Sequence, residues 1–186
     1  LRANNIYLGK PNELSGIGAI YIDDACGLTS IEVANNLWVG NGHSNFHAWL
    51  GDPSKGYRLP YGVSIKVGSN VAGNITRGSL IVGQCTWTGS NDLSARLSAS
   101  FSEEGQRGGS MEAYVTDLIV AKHNGGYGYY LHGEMDLRAM SSVLIDANNI
   151  YIGRGLGSNF TGKGYVWLPS GATVTTGTLD IGDDSL

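Results

Sequence analysis

Glu134 and Asp136 stand two residues apart in the run Tyr130-Leu131-His132-Gly133-Glu134-Met135-Asp136. On a β-strand that spacing puts both carboxylates, with Tyr130 and His132, on one face. Two carboxylates facing a sugar can hydrolyse a glycosidic bond, one as acid and the other as base or nucleophile. The other acidic candidates, Asp23-Asp24, Glu103-Glu104 and Asp183-Asp184, are adjacent pairs. Neighbours on a strand point to opposite faces, so these read as solvated charges. His43 and His47 have the i, i+4 spacing that gathers a metal on a helix. Their stretch reads as turn and strand, where they diverge. The sequence predicts neither a metal site nor a cofactor.

A second group of side chains suits recognition better than catalysis. His123, Asn124, Tyr127, Tyr129, Tyr130 and His132 crowd around the turn Asn124-Gly125-Gly126. Flat rings with nearby donors and acceptors are what a saccharide- or protein-binding loop needs. These six residues form the predicted receptor-binding site. Trp38, Trp49 and Trp167 sit inside apolar runs and read as packed between strands. Cys26 and Cys85 lie in unrelated contexts and read as isolated buried thiols rather than a bridged pair.

The elements that position these groups follow from composition. Of 186 residues, 29 are glycine and only 15% are charged, which favours short strands joined by tight turns over helices. A net charge of −4 without a basic stripe argues against a nucleic-acid partner. No apolar run reaches membrane length, so membrane insertion is not expected. The opening at Leu1 reads as a fragment or a processed chain.

One phrase recurs three times: Ala3-Asn4-Asn5-Ile6-Tyr7-Leu8-Gly9, Ala34-Asn35-Asn36-Leu37-Trp38-Val39-Gly40 and Ala147-Asn148-Asn149-Ile150-Tyr151-Ile152-Gly153. Asparagines that bond their own backbone read as a turn, the apolar triplet as a short strand, and glycine as its end at positive φ. Ile6, Leu37 and Ile150 should therefore be equivalent, as should Gly9, Gly40 and Gly153. Short strands are expected at 5–9, 17–22, 30–33, 36–39, 47–50, 63–67 and 79–82. From about 84 the texture changes. Leu93 to Phe101 alternates with period two, Met111 to Lys122 reads as a strand, and Asn124-Gly125 signals a hairpin into Tyr127 to Met140.

Three regions follow: a repeat-containing β stem over 1–83, an antiparallel β meander over 84–142 forming the receptor-binding head, and a returning repeat with C-terminal tail over 143–186. A single-chain solenoid wants adjacent repeats of constant length. Here only the first two copies adjoin, which points instead to short strands shared between chains. The expected fold is all-β, an elongated intertwined homotrimer of short Gly/Asn-punctuated strands with the meander inserted.

The Asn-Asn-Ile-Tyr-Ile-Gly repeat, its Ser44-Asn45-Phe46 and Ser158-Asn159-Phe160 companions and the glycine-rich meander resemble the distal parts of tailed-bacteriophage tail fibres and receptor-binding proteins. The resemblance implies a homotrimeric, extracellular virion component, joined to other tail proteins, that attaches to a bacterial surface glycan or protein without chemistry of its own. A glycan-depolymerising tailspike using a carboxylate pair and a structural stalk or baseplate piece are the alternatives. Two features of such fibres are absent: repeated His-x-His iron sites and a self-cleaving chaperone segment.

Overall fold

The structure, a computed structural model, describes residues 1–9, 16–20, 27–42, 46–51, 59–85, 92–99, 108–123, 129–155 and 160–182. Among these residues fourteen strands follow in chain order: β1 (Arg2–Leu8), β2 (Gly16–Ile20), β3 (Ser30–Gly42), β4 (Phe46–Leu50), β5 (Ser64–Val67), β6 (Ser69–Val71), β7 (Asn74–Thr76), β8 (Gly78–Cys85), β9 (Asp92–Ser98), β10 (Ser110–His123), β11 (Tyr129–Asp136), β12 (Ser142–Gly155), β13 (Phe160–Trp167) and β14 (Thr173–Ile181). Among the described residues there is no helix, as the glycine-rich, weakly charged composition requires.

The strands alternate between two sheets, and within each sheet the pairing is parallel. One sheet runs β1-β3-β5-β10-β12-β14, with β8 continuing the β5 position between β3 and β10; the other runs β13-β11-β9-β4-β2. A strand in the first sheet, a crossing, a strand in the second and a return make one coil, and successive coils stack. This is a parallel β-solenoid built within one chain. Each short strand of the two sheets finds a parallel neighbour one coil away.

The repeats occupy equivalent places. Ile6 pairs with Leu37, Leu37 with Leu80, Leu80 with Leu118, Leu118 with Ile150 and Ile150 with Leu179. The unequal repeat lengths have a local cause. Between β5 and β8 the chain leaves the sheet as a small hairpin, β6–β7, then resumes the same strand position. An insertion that exits and returns lengthens the coil without disturbing the register above and below.

The antiparallel meander expected over 84–142 is not what forms. β9 and β11 pair in parallel with each other, and β10 pairs in parallel with β5, β8 and β12. The strands on either side of Asn124-Gly125, β10 and β11, belong to different sheets and do not pair with each other as the expected hairpin. Alternation of polar and apolar residues reports one covered face; it does not report the direction of the neighbouring strand. Among the described residues the antiparallel pair is β6–β7, where Ala72 and Gly73 both have positive φ (51° and 86°), the geometry of a tight two-residue turn.

Inward side chains fill the space between the sheets as continuous columns. Ile31, Ile65, Met111 and Val143 form one in the first sheet, all at most 4% exposed. Leu50, Leu97 and Met135 form one in the second, all fully buried. Where the sheets come closest the column changes character. Gly9, Gly40, Gly83, Ala121, Gly153 and Gly182 lie in register in the first sheet, each at positive φ. Facing them run Gly18, Ala48, Ala95, Gly133 and Gly164. A Cβ on Gly133 would stand 2.5 Å from the Val82 carbonyl oxygen, and one on Gly164 would strike the Gly153 amide nitrogen. The seam exists because these positions have almost no side chain.

Candidate functional site on the outward face of the second sheet

Alternation along β9, β11 and β13 buries Leu93, Ala95 and Leu97, then Leu131, Gly133 and Met135. It turns Ser94, Arg96, His132, Glu134, Asp136, Lys163, Tyr165 and Trp167 outward. Register aligns Trp49, Arg96, Glu134 and Tyr165 in one row across four strands, with His47, Ser94, His132 and Lys163 in the row beside it. The side chains are a strand spacing apart, about 4.8 Å, so each touches its neighbours.

At the centre the Glu134 carboxylate accepts a hydrogen bond from the Arg96 guanidinium and lies 3.3 Å from His132 Nε2. Glu134 is 8% exposed, a burial that an acidic group tolerates only when its charge is met by a partner. On one flank Tyr165 and Trp167 stack nearly parallel, centroids 5.3 Å apart, while His132 leans on Tyr165 at 5.6 Å. Tyr165 is exposed to solvent. Arg138 closes the rim: its guanidinium donates twice to Asp136, at 2.7 and 3.0 Å, its backbone amide once at 3.2 Å, and the guanidinium lies 5.3 Å from the Trp167 ring. Burial raises the affinity of Asp136 for a proton, but the hydrogen bonds and charge of Arg138 outweigh it, leaving the carboxyl below its usual range. On the far flank His47 stacks on Trp49 at 6.1 Å.

Of the six residues predicted to bind a receptor, His132 is on this face and His123 is not. His123 ends β10 in the interior at 1% exposure, and burial lowers its proton affinity. Its column is occupied by Gly42, Cys85 and Gly155, so it fills space that smaller neighbours leave. Tyr129 and Tyr130 open β11 opposite Phe160 and Thr161. Asn124 and Tyr127 lie outside the described residues, as do His43, Cys26, Asp23-Asp24, Glu103-Glu104 and Asp183-Asp184. Glu134 and Asp136 do share a face, as their spacing requires, but each is held by a guanidinium.

Trp38, Trp49 and Trp167, expected to pack between strands, lie on the outer faces, because the aliphatic residues on either side of each take the inward positions; there Trp38 packs on Tyr7 of the neighbouring strand and Trp49 is 9% exposed. Arg96, Tyr165, Trp167 and Arg138 are the members of the face that sequence reading missed. Their strands alternate visibly, but only the parallel register brings Arg96 beside Glu134 and Tyr165 beside His132.

Among the described residues no cluster of three or more histidine, cysteine or acidic side chains could hold a metal ion. Nor, among the described residues, is any helix long and apolar enough to cross a membrane. No family model, curated protein or solved structure matches the chain. By its sheet topology the protein is a two-sheeted parallel β-solenoid with an aromatic and charged outer face.

Proposed function

We propose that the chain is an attachment segment of the tail-fibre type, binding a glycan of a bacterial surface through the outward face of its second sheet, without catalysis. The observation that carries this reading is the stacked Tyr165–Trp167 pair beside the Arg96–Glu134–His132 cluster. An exposed ring offers a flat surface to the apolar side of a sugar, and the cluster beside it both donates to and accepts from hydroxyls. Both stand on strands, which hold them rigidly and reduce the ordering cost of binding. Assembly as a homotrimer on a virion would multiply weak individual contacts through effective concentration.

The test is adhesion to host cells. Tyr165→Ala should lower binding more than tenfold while leaving thermal stability nearly unchanged, since the ring is solvent-exposed. Normal adhesion by this variant would remove the face from the reading and leave a structural stalk. A mass in solution near three times 19.6 kDa supports the trimer; a monomer argues against it.

A second reading rests on Glu134 and Asp136 sharing one face: depolymerisation of the bound glycan by the carboxylate pair. New reducing ends released from host polysaccharide, and lost in Glu134→Gln, would establish it. Asp136, depressed in proton affinity, suits the nucleophile or base rather than the acid.

A further inference from the structure

The β6–β7 hairpin stands out from the first sheet at the point where β5 gives way to β8. Its base is bonded on both sides: toward β3, the Gly68 amide just before β6 donates to the Val33 carbonyl at 2.9 Å. Asn70 accepts from the Gly73 amide at 3.1 Å and hydrogen-bonds Tyr114 on β10. At the base, Arg77 reaches across two coils to the Val115 carbonyl at 3.2 Å, the Asp146 carbonyl at 2.7 Å and the Asp146 carboxylate at 2.8 Å. Beyond the Gly68–Val33 bond, a cleft of about 740 Å³ is lined by residues of β1, β3, β5 and the hairpin. Ser69 and Thr76 of the hairpin line it together with Arg2, Glu32, Ala34 and Lys66. The volume falls within the range of small-molecule sites, about 300–1,000 Å³.

We propose that this cleft binds a neutral saccharide, independently of the face on the second sheet. The charges decide the ligand class. Arg2 is paired with Glu32 at 2.8 Å and Lys66 with Glu112 at 3.5 Å, so cations and anions alternate from coil to coil. A phosphate or sulfate would meet the Glu32 carboxylate, and an ammonium ligand would meet Arg2 and Lys66. A sugar hydroxyl donates and accepts at once, and this lining answers both needs with carboxylate, guanidinium, ammonium and hydroxyl groups. The hairpin is tied down before any ligand arrives, so binding requires no ordering of the hairpin.

The experiment is saturation-transfer NMR on the whole chain with maltotriose and the methyl glycosides of glucose, galactose and mannose, using glucuronate and glucosamine as charged controls. The expected result is transfer to at least one neutral saccharide and none to the charged sugars. Ala34→Trp, which fills the cleft from an exposed position, and Thr76→Val, which removes one hydroxyl at nearly constant volume, should each weaken that binding at least tenfold. Tyr165→Ala should leave it unchanged. The proposal is overturned if no neutral saccharide receives saturation, if a charged sugar binds equally well, or if both cleft variants bind normally. It is also overturned if Tyr165→Ala abolishes binding, which would move the sugar to the other sheet.

Discussion

The two outward faces of this solenoid are made by the same rule and differ in how their side chains are used. On the first sheet the second asparagine of the repeated phrase forms a ladder. Asn36 donates to Asn5 at 2.8 Å, Ser79 donates to Asn36 at 2.7 Å, Trp38 donates to Ser79 at 2.7 Å, and farther along Asn149 donates to Asp117 at 2.9 Å. These groups satisfy one another from coil to coil. On the second sheet the outward rows carry charged and aromatic groups that change from coil to coil, with Tyr165 left open to solvent. A repeated polar residue in register serves the stack; a non-repeating mixture on an equally rigid strand is available for a ligand.

The comparison breaks first where both sheets depend on the seam between them. Gly164→Ala places a Cβ against the Gly153 nitrogen and the Val120 carbonyl, backbone that cannot move aside. We expect a loss of about 3 kcal/mol, or roughly 6–12 °C in melting temperature for a chain of this size. A melting temperature within a degree of wild type would mean that the sheets are free to separate there.

Next come the ladders. Ser79→Ala leaves the Trp38 and Asn36 partners without their bond, at a cost of about 1–2 kcal/mol in chemical denaturation and none in adhesion. Equal losses in stability and adhesion would erase the distinction between the faces.

A smaller effect of opposite sign is expected at Ala121, the one position in the positive-φ column that carries a side chain (φ 58°). Strain in this region is about 1–2 kcal/mol and is partly offset by the greater freedom glycine has when unfolded. Ala121→Gly should therefore raise stability by up to ~1 kcal/mol, read as a higher denaturation midpoint.

Last is the acid limb. Burial depresses the proton affinity of His123 in the folded state, so the unfolded chain binds the extra proton. Its contribution is complete above the ordinary histidine value, about 6.5, and diminishes as pH falls below it. Asp136, also depressed, contributes fully above the ordinary carboxylate range and loses that contribution as pH falls through its lowered value. His123→Gln should flatten the decline that sets in below about pH 6.5, followed by melting temperature; Asp136→Asn should flatten only the more acidic part. An unchanged profile for His123→Gln would mean that the ring is not buried in solution.

Sequence alone determined the local vocabulary. Glycine abundance and scarce helix formers implied strands, the repeated phrase implied equivalent positions, and Gly9, Gly40 and Gly153 do sit at matching positive-φ sites. The i, i+2 spacing of Glu134 and Asp136 likewise sufficed to put both on one face, because side-chain direction along a strand is set within the strand. What lies across a strand is decided elsewhere. The parallel pairing, the division of 84–142 between two sheets, and the meeting of Arg96 with Glu134 and of His132 with Tyr165 are set by residues 29 or more positions apart. No local pattern encodes that separation. It emerges only when inward columns and glycine seams lock each coil onto the one before it, and an inserted hairpin shows that chain length between repeats is free to vary while register is not.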